Sequence, residues 1–540
     1  MPSTVYKGDL AEVSFAPEVG MTIVPNTDAS FALTHPAAND HSQIVFTGAN
    51  TTLFDTNKLR YPNGMLVGSQ IKFTDSASTL ESADTDGVFT IVFHEGDTIK
   101  FSPKMLTSAG TINVTNVSLH ILPYKTPPMD VSMTQGANTE SVLTDQFLGI
   151  TNALTVPETK IDLKRYHVVG LGRDTSVQVP GKFITEGGSF EVAMHSARWL
   201  KYCLGGEVVV PTSAPQSGYS TTLNGAREAG DSIITVASNI SNLAVNDYVL
   251  IVDTTEVAIT TTHEPNAGSW GANFTDFDFD KADTNEIRRV IGIDGNNVYL
   301  DEPLLYPHAD GKTIQFVAYD DTTNTNPPSI TSAGVISNAM THLLYTNSYQ
   351  PSFSLEVSQR RRNVDTGEGA TDGSASDSKE LTRVFRGCKV TDFTMTTDND
   401  AALRLSVNFN SALCYTDTGR LEGTPITRYS AHRMFDDTAS TPTARLISGI
   451  GVKTQKPFMF YNGTINMAGV QVAQVLNFSL TGQLGLQAFH VINGQNSVSS
   501  ATEQVPFGGS RNTSLMVEGQ TTYEMTVEID RDWETKLSCQ

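Results

Sequence analysis

The densest run of potential ligands is Asp276-Phe-Asp278-Phe-Asp280-Lys-Ala-Asp283. Alternating aspartates supply the clustered hard oxygens that calcium takes. The run departs from the EF-hand template: Lys281 stands where the glycine turn is needed, and Ile287 where the bidentate acid is needed. A solvated acidic loop is the plainer account. The cluster Arg360, Arg361 and Arg362 has the planar donors that grip a phosphate or an acidic neighbour, and Asp365 and Glu368 follow in the same run. Eleven histidines are spread along the chain without an HExxH pair, and His167 and His490 read as structural hydrogen-bonding residues. There is no GxSxG elbow, no phosphate-binding GxxxxGK[ST] loop and no strand–GxGxxG–helix unit. Carboxylate pairs are too common in an acidic chain for any one pair to mark a glycosidase. The residues therefore name no catalytic group, no cofactor site and no metal site.

The remaining chemistry is electrostatic. With a net charge of −22 the chain has no basic surface with which to hold nucleic acid. Like charge does suit a passage along which nucleic acid slides without sticking, although solubility is the simpler consequence of such a charge. Four cysteines (Cys203, Cys388, Cys414, Cys539) form no CxxC pair, so neither a zinc site nor a disulfide framework is indicated. Cys203 and Cys388 read as small core residues. The opening MPSTVYKGDLAEV lacks the apolar stretch of a secretory leader, and no run approaches the length needed to span a membrane. The expectation is a protein made, and assembled, in a cytoplasm.

The elements that must carry these residues are β-strands. Only 17% of residues are charged, and threonine, serine, asparagine and glycine fill the balance, a composition that favours strands and turns. The organising stretch runs from Asp162 to Gly205. Phe190, Val192 and Met194 alternate with Glu191, Ala193 and His195, as in a half-buried strand. Trp199, Leu200, Cys203 and Leu204 then mark one face of a short helix that Gly205-Gly206 stops. A degenerate second copy follows near the other end. Tyr166-His167-Val168-Val169 is echoed by Phe489-His490-Val491-Ile492, and Glu186-Gly187 before Phe190-Glu191-Val192 by Glu518-Gly519 before Tyr523-Glu524-Met525. The shared order points to an internal duplication. Two further stretches, 25–130 and 213–328, read as small β-domains inserted into a host. They share a plan, since LVGSQIKF (66–73) resembles AVNDYVLI (244–251) and EGDTIKF (95–101) resembles DGNNVYL (294–300). The host is then 1–24, 131–212 (first repeat) and 329–540 (second repeat). In it Cys388, Val390, Phe393 and Met395 pair with Leu403, Leu405, Val407 and Phe409 across a turn at 396–400. Tyr523, Met525, Val527 and Ile529 alternate with Glu524, Thr526, Glu528 and Asp530, predicting one buried face and one acidic face. Val357–Glu380 reads as an extended loop of disordered composition.

Four stretches together resemble the major tail tube proteins of tailed bacteriophages and tailed archaeal viruses: VYKGDLAEVSFAPEVGM, VGLGRDTSVQVPGKFITEGGSFEVAMHSARWLKYCLG, FRGCKVTDFTMTTDNDAALRLSVNFNSA and KPFMFYNGTINMAGVQVAQVLNFSLTG. They cover somewhat over half the chain, and their order and spacing carry the likeness. The large insertions depart from compact tube proteins. The resemblance implies a mainly β fold: a tail-tube barrel or sandwich, here duplicated, with short flanking helices. It implies a structural and non-catalytic subunit that stacks as rings into a hollow conduit for genome ejection, located in the virion tail. Its partners would be other copies of itself and the tape-measure, tail-terminator and distal tail proteins, with viral DNA passing unbound and no membrane contact. Glu524, Glu528 and Asp530 would face the lumen. Arg360, Arg361, Arg362, Asp365 and Glu368 would belong to an arm between rings. Two barrels per chain would make a homotrimeric, pseudo-hexameric ring, against the alternative of a true hexamer. Outward modules would suit a siphovirus-like, non-contractile tail. The competing readings are a β-modular tail fibre or adhesin, and a tail hydrolase for which the residues name no cleft.

Overall fold

The computed structural model describes residues 6–48, 66–126, 132–211, 219–258, 281–317, 329–361, 380–416, 457–490 and 513–529, with short breaks inside these blocks. The fold is mainly β. Strands from the beginning, middle and end of the chain join one nine-stranded host sheet. Its elements are β1 (Tyr6–Pro17), β2 (Ile150–Thr155), β5 (Gly188–Ala193), β6 (Phe353–Arg361), β7 (Glu380–Asp398), β8 (Arg404–Asn410), β9 (Leu413–Thr416), β10 (Val475–Gln483) and β13 (Thr522–Ile529). Between β2 and β5 the chain makes a long hairpin of β3 (Glu158–His167) and β4 (Ser176–Glu186). Between β10 and β13 it makes a second hairpin of β11 (Gln487–Phe489) and β12 (Leu515–Val517). The helix α1 (Arg198–Leu204) follows β5.

The 19-residue β7 is the spine of this sheet. Its first half pairs with β6 and β9, and its second half with β8 and β10. The change of partners falls at Gly387, whose φ of +63° an L side chain rarely adopts. A Cβ there would stand 2.8 Å from that of Ala412. The bend folds β1–β6–β7 over β5–β8–β7, and the core lies in the fold. Phe15, Phe353, Leu355 and Phe385 face Phe190, Val407 and Phe393, and α1 closes the gap with Trp199, Tyr202 and Cys203. Phe15 and Phe190 each hold Trp199 at a ring separation of 4.7 Å. Each fully buried phenylalanine stabilises the fold by about 1.5–3 kcal/mol. The helix ends at Gly205, left-handed, with its N–H on the Lys201 carbonyl, the stop expected from the sequence. Cys203 and Cys388 are buried free thiols whose pKa values burial pushes up, consistent with their reading as core residues.

The two smaller sheets lie in the stretches read as insertions, and they share one strand order. In the first, strands 42–48, 70–75, 88–95, 98–102 and 117–121 lie in the spatial order fifth, second, third, fourth, first. In the second, strands 233–235, 248–252, 286–294, 297–300 and 313–317 lie in the same order. The sequence likeness of 66–73 to 244–251 and of 95–101 to 294–300 falls on matching strands and turns of these sheets. The first sheet also takes Met21–Ile23, so it begins inside the stretch assigned to the host start. The second sheet is reached and left through a two-stranded ribbon of Gly205–Pro211 and Met340–Thr346.

Candidate assembly interface

Register across the host sheet sorts its side chains into rows. One row runs Leu154, Phe190, Val407, Phe393, Gly482 and Tyr523, from β2 through β5, β8, β7 and β10 to β13. The next runs Ala153, Glu191, Ser406, Thr394, Thr481 and Glu524. The apolar rows face the core and α1. The alternate rows are hydroxyl, amide and carboxylate: Ser189, Asn408, Asp392, Gln483 and Thr522 in one, Arg404, Thr396, Ser479 and Thr526 in another. Period-two alternation in five separate strands therefore adds up to one continuous polar face. Glu524 and Glu528 lie on it and are exposed, with Asn477 hydrogen-bonded to Glu528. Asp530 lies outside the described residues.

The opposite face of β13 corrects an expectation. Tyr523, Met525, Val527 and Ile529 were read as a buried face, yet Met525 is 49% exposed and Tyr523 36%. The reason is lateral position. The helix and the folded-over half of the sheet cover β5, β8 and β7, and β10 and β13 extend past that cover. Among the described residues β13 pairs with β10 alone and β2 with β5 alone, so both ends of the sheet present open edges. An open edge with an uncovered apolar face is a site for strand addition. Adjacent strands all run antiparallel over six strands from β2 to β13. With an even count the two edge strands run in opposite directions. A strand of a second copy added head to tail at either edge would therefore continue the antiparallel pattern.

Both hairpins leave the sheet at the same end, where β8 finishes and β7 bends. Glu186-Gly187 closes the first, and Glu518-Gly519 the second. The described part of the sequence echo, Tyr166-His167 with Phe489-His490 and the two Glu-Gly pairs, falls on equivalent places: a strand, a projecting hairpin and a returning strand that pairs with the first. At the second crossing Gly519 lies so close to Gly485 that a Cβ on it would meet the Gly485 carbonyl oxygen at 2.5 Å. The first strand of the long hairpin runs Glu158–His167 and so begins ahead of the organising stretch, which starts at Asp162. His490 Nε2 lies 3.4 Å from the Phe183 carbonyl, linking the hairpin bases.

A buried polar junction fixes these parts together. Glu18 accepts hydrogen bonds from the backbone N–H groups of Lys125 (2.8 Å) and Gly387 (2.7 Å) and from the hydroxyls of Ser352 and Ser354. Arg386 donates to Ser69 Oγ at 2.8 Å and to the Lys125 carbonyl. Lys125 Nζ donates to the carbonyls of Thr513 and Ser514. Burial above all, with the Arg386 charge, pushes the Lys125 pKa down to about 7, against an upward pull from Glu18. Beside it Lys389 pairs with Glu518 at 2.6 Å. Separately, in the second small sheet, the buried His308 lies between Asp253 (2.9 Å) and Glu286 (3.0 Å), with Lys312 on Asp253 and Arg288 on Glu286. The site is a closed set of ion pairs inside that domain. None of these buried residues was legible in the sequence.

The candidate inter-ring residues divide. Val357 is a core residue, and Val357–Arg361 belongs to β6, so the stretch read as a loop from Val357 starts later than expected. Arg360 pairs through its backbone with Glu380 and Arg361 with Tyr6. Arg362, Asp365 and Glu368 lie outside the described residues, as does the run from Asp276 to Asp280. Among the described residues no group of three or more His, Cys, Asp and Glu side chains is placed to hold a metal, and no helix is long and apolar enough to cross a membrane. Comparison with protein-family models and with curated proteins finds no match.

Proposed function

We propose that this chain is a structural subunit of a viral tail tube, assembling side by side into rings and stacking into a conduit for the genome. One observation carries the reading: a six-strand antiparallel sheet with one polar face, one partly uncovered apolar face and two open edges of opposite direction. Joining β13 of one copy to β2 of the next would bury Tyr523 and Met525 and remove both edges. The polar face would then line the channel. Its charged residues, Glu191, Asp392, Asp398, Glu524 and Glu528 against Arg404, are mostly acidic, and they would repel a passing polyanion.

Strand count bears on ring size. Strands about 4.8 Å apart and tilted about 40° put the backbone of an 18-strand barrel at a radius of about 18 Å, and that of a 36-strand barrel at about 36 Å. A duplex about 20 Å across fills the first with room for lining side chains, and leaves the second largely empty. Three copies of the six described strands make the smaller barrel, so a trimer is favoured over a hexamer. The role is structural, with no catalytic step, and the two small sheets would lie outside the channel, as in a non-contractile tail. The matching strand order of those sheets is what favours the second reading, a modular tail fibre or adhesin.

Negative-stain microscopy of the purified chain with rotational averaging of end-on views tests the assignment. Hollow rings or tubes with threefold symmetry are expected. Solid rods would favour the fibre, and monomers at all salt and protein concentrations would sink the tube.

A further inference from the structure

The host sheet has two unlike ends, and their surfaces match. At one end the β3–β4 ribbon continues β2 and β5 beyond the sheet. Among the described residues no third strand joins it, and its base is held by the Ser411 N–H on the Thr185 carbonyl and by His490 at the Phe183 carbonyl. Ten residues of strand reach about 33 Å, and a lone two-stranded ribbon is marginally stable in water. Ile161, Leu163 and Arg165 share one of its faces by alternation. Ile161 and Leu163 are each 50% exposed, and Arg165 is exposed. At the opposite end, Phe458 N–H donates to the Met194 carbonyl and Leu403 N–H to the Phe458 carbonyl. These bonds pin the short turn Phe460–Asn462 beneath β5 and β8. The turn displays Phe458, Phe460 and Tyr461, the last 70% exposed, with Phe460 and Tyr461 edge to face at 5.3 Å. Exposed Asp398 and Asp400 lie beside it on the β7–β8 turn, through the Phe460 N–H bond to the Ala401 carbonyl.

We infer that the aromatic turn is the docking surface for the β3–β4 ribbon of a second copy stacked end to end. The inference rests on the tube reading and adds the axial contact to it. Two apolar patches at opposite ends of one sheet cannot meet within a copy. Stacking along the tube axis brings the ribbon end of one ring onto the turn end of the next, a heterologous contact that propagates instead of closing. Charge agrees: Arg165 on the ribbon meets Asp398 and Asp400, and a guanidinium over Phe460 or Tyr461 adds a cation–π contact. The contact also gives the stack a direction, since ribbon and turn are different surfaces.

The test compares wild type with Phe460→Ser/Tyr461→Ser and with Arg165→Glu, alone and combined with Asp400→Arg, by electron microscopy and sedimentation. All four residues are exposed, so unfolding midpoints should match wild type and serve as the control for folding. Removing an aromatic anchor weakens such a contact by roughly tenfold or more. The expected result is single rings in place of tubes for the aromatic variant, shortened tubes for Arg165→Glu, and restored length in the charge-swapped pair. Wild-type tubes with aromatic-variant tubes of unchanged length would overturn the axial contact, leave the tube reading standing and give the turn another occupant. Wild-type chains that form neither rings nor tubes would remove the tube reading and the axial contact with it.

Discussion

Lys125 Nζ donates a 2.8 Å hydrogen bond to the carbonyl oxygen of Thr513, 388 residues further along the chain. The bond ties the exit of the first small sheet to the base of the second hairpin. Replacing Lys125 by methionine keeps the stem but leaves two carbonyls without their donor, at a cost of about 1–3 kcal/mol. The pH dependence has a definite sign. The folded pKa, about 7, lies below the ordinary lysine value, so the native state disfavours the charged amine. Wild-type stability relative to Lys125→Met should rise as pH increases from about 7 toward about 10, and fall over the same window on acidification. Urea unfolding of both proteins across this range checks it.

His308 should act in the opposite sense. Burial lowers its pKa, but hydrogen bonds to Glu286 and Asp253 and their charges outweigh burial, and the net direction is up. Its stabilising contribution is fully present below about 6.5 and is lost as pH rises through the raised folded value. Hydrogen exchange at Val249–Ile251, compared between wild type and His308→Gln, should show a wild-type advantage at pH 6 that shrinks in alkali. An advantage that grows with pH would contradict the ion-pair assignment.

Gly387→Ala should destabilise the protein by more than Gly295→Ala. Both glycines have positive φ, +63° and +57°. A Cβ at Gly295 meets open space, and one at Gly387 meets Ala412 and the Lys125 and Tyr124 side chains. Strain alone costs about 1 kcal/mol, and steric overlap in a packed corner adds about 1–3 kcal/mol. Thermal unfolding of the two variants gives the comparison directly.

Met525→Lys should leave the folded monomer within about 0.5 kcal/mol of wild type, as surface substitutions do. It should abolish side-by-side assembly, because a buried interface would have to desolvate the new charge. Light scattering after size exclusion separates the two effects. Unchanged assembly would show that β13 is not the lateral contact.

Glu524→Lys combined with Glu528→Lys should permit assembly yet make the product hold DNA. Each added phosphate contact steepens the salt dependence of binding by roughly one unit of log–log slope. Wild type is expected to hold no DNA under the same conditions. Retention by wild type, or none by the variant tubes, would count against these residues facing the channel.

Much of the fold was legible in the residues. Leu405, Val407 and Phe409 alternate so cleanly that only a half-buried strand accommodates them, and the helix before Gly205 follows from local spacing and a local stop. The shared plan of the two small sheets showed in short likenesses, because equivalent strands and turns make equivalent local demands. Local pattern also placed Glu524 and Glu528 opposite Tyr523 and Met525. It could not say which of these faces is covered. That depends on how far α1 and the folded-over half of the sheet reach, and the cover stops short of β13. Nor could spacing show that Glu191 and Glu524 share a row, or that Lys125, Glu18, Arg386 and Thr513 meet. Register across five ladders and a bend at Gly387 bring them together, and those are properties of pairing between distant strands, which no window of the sequence contains.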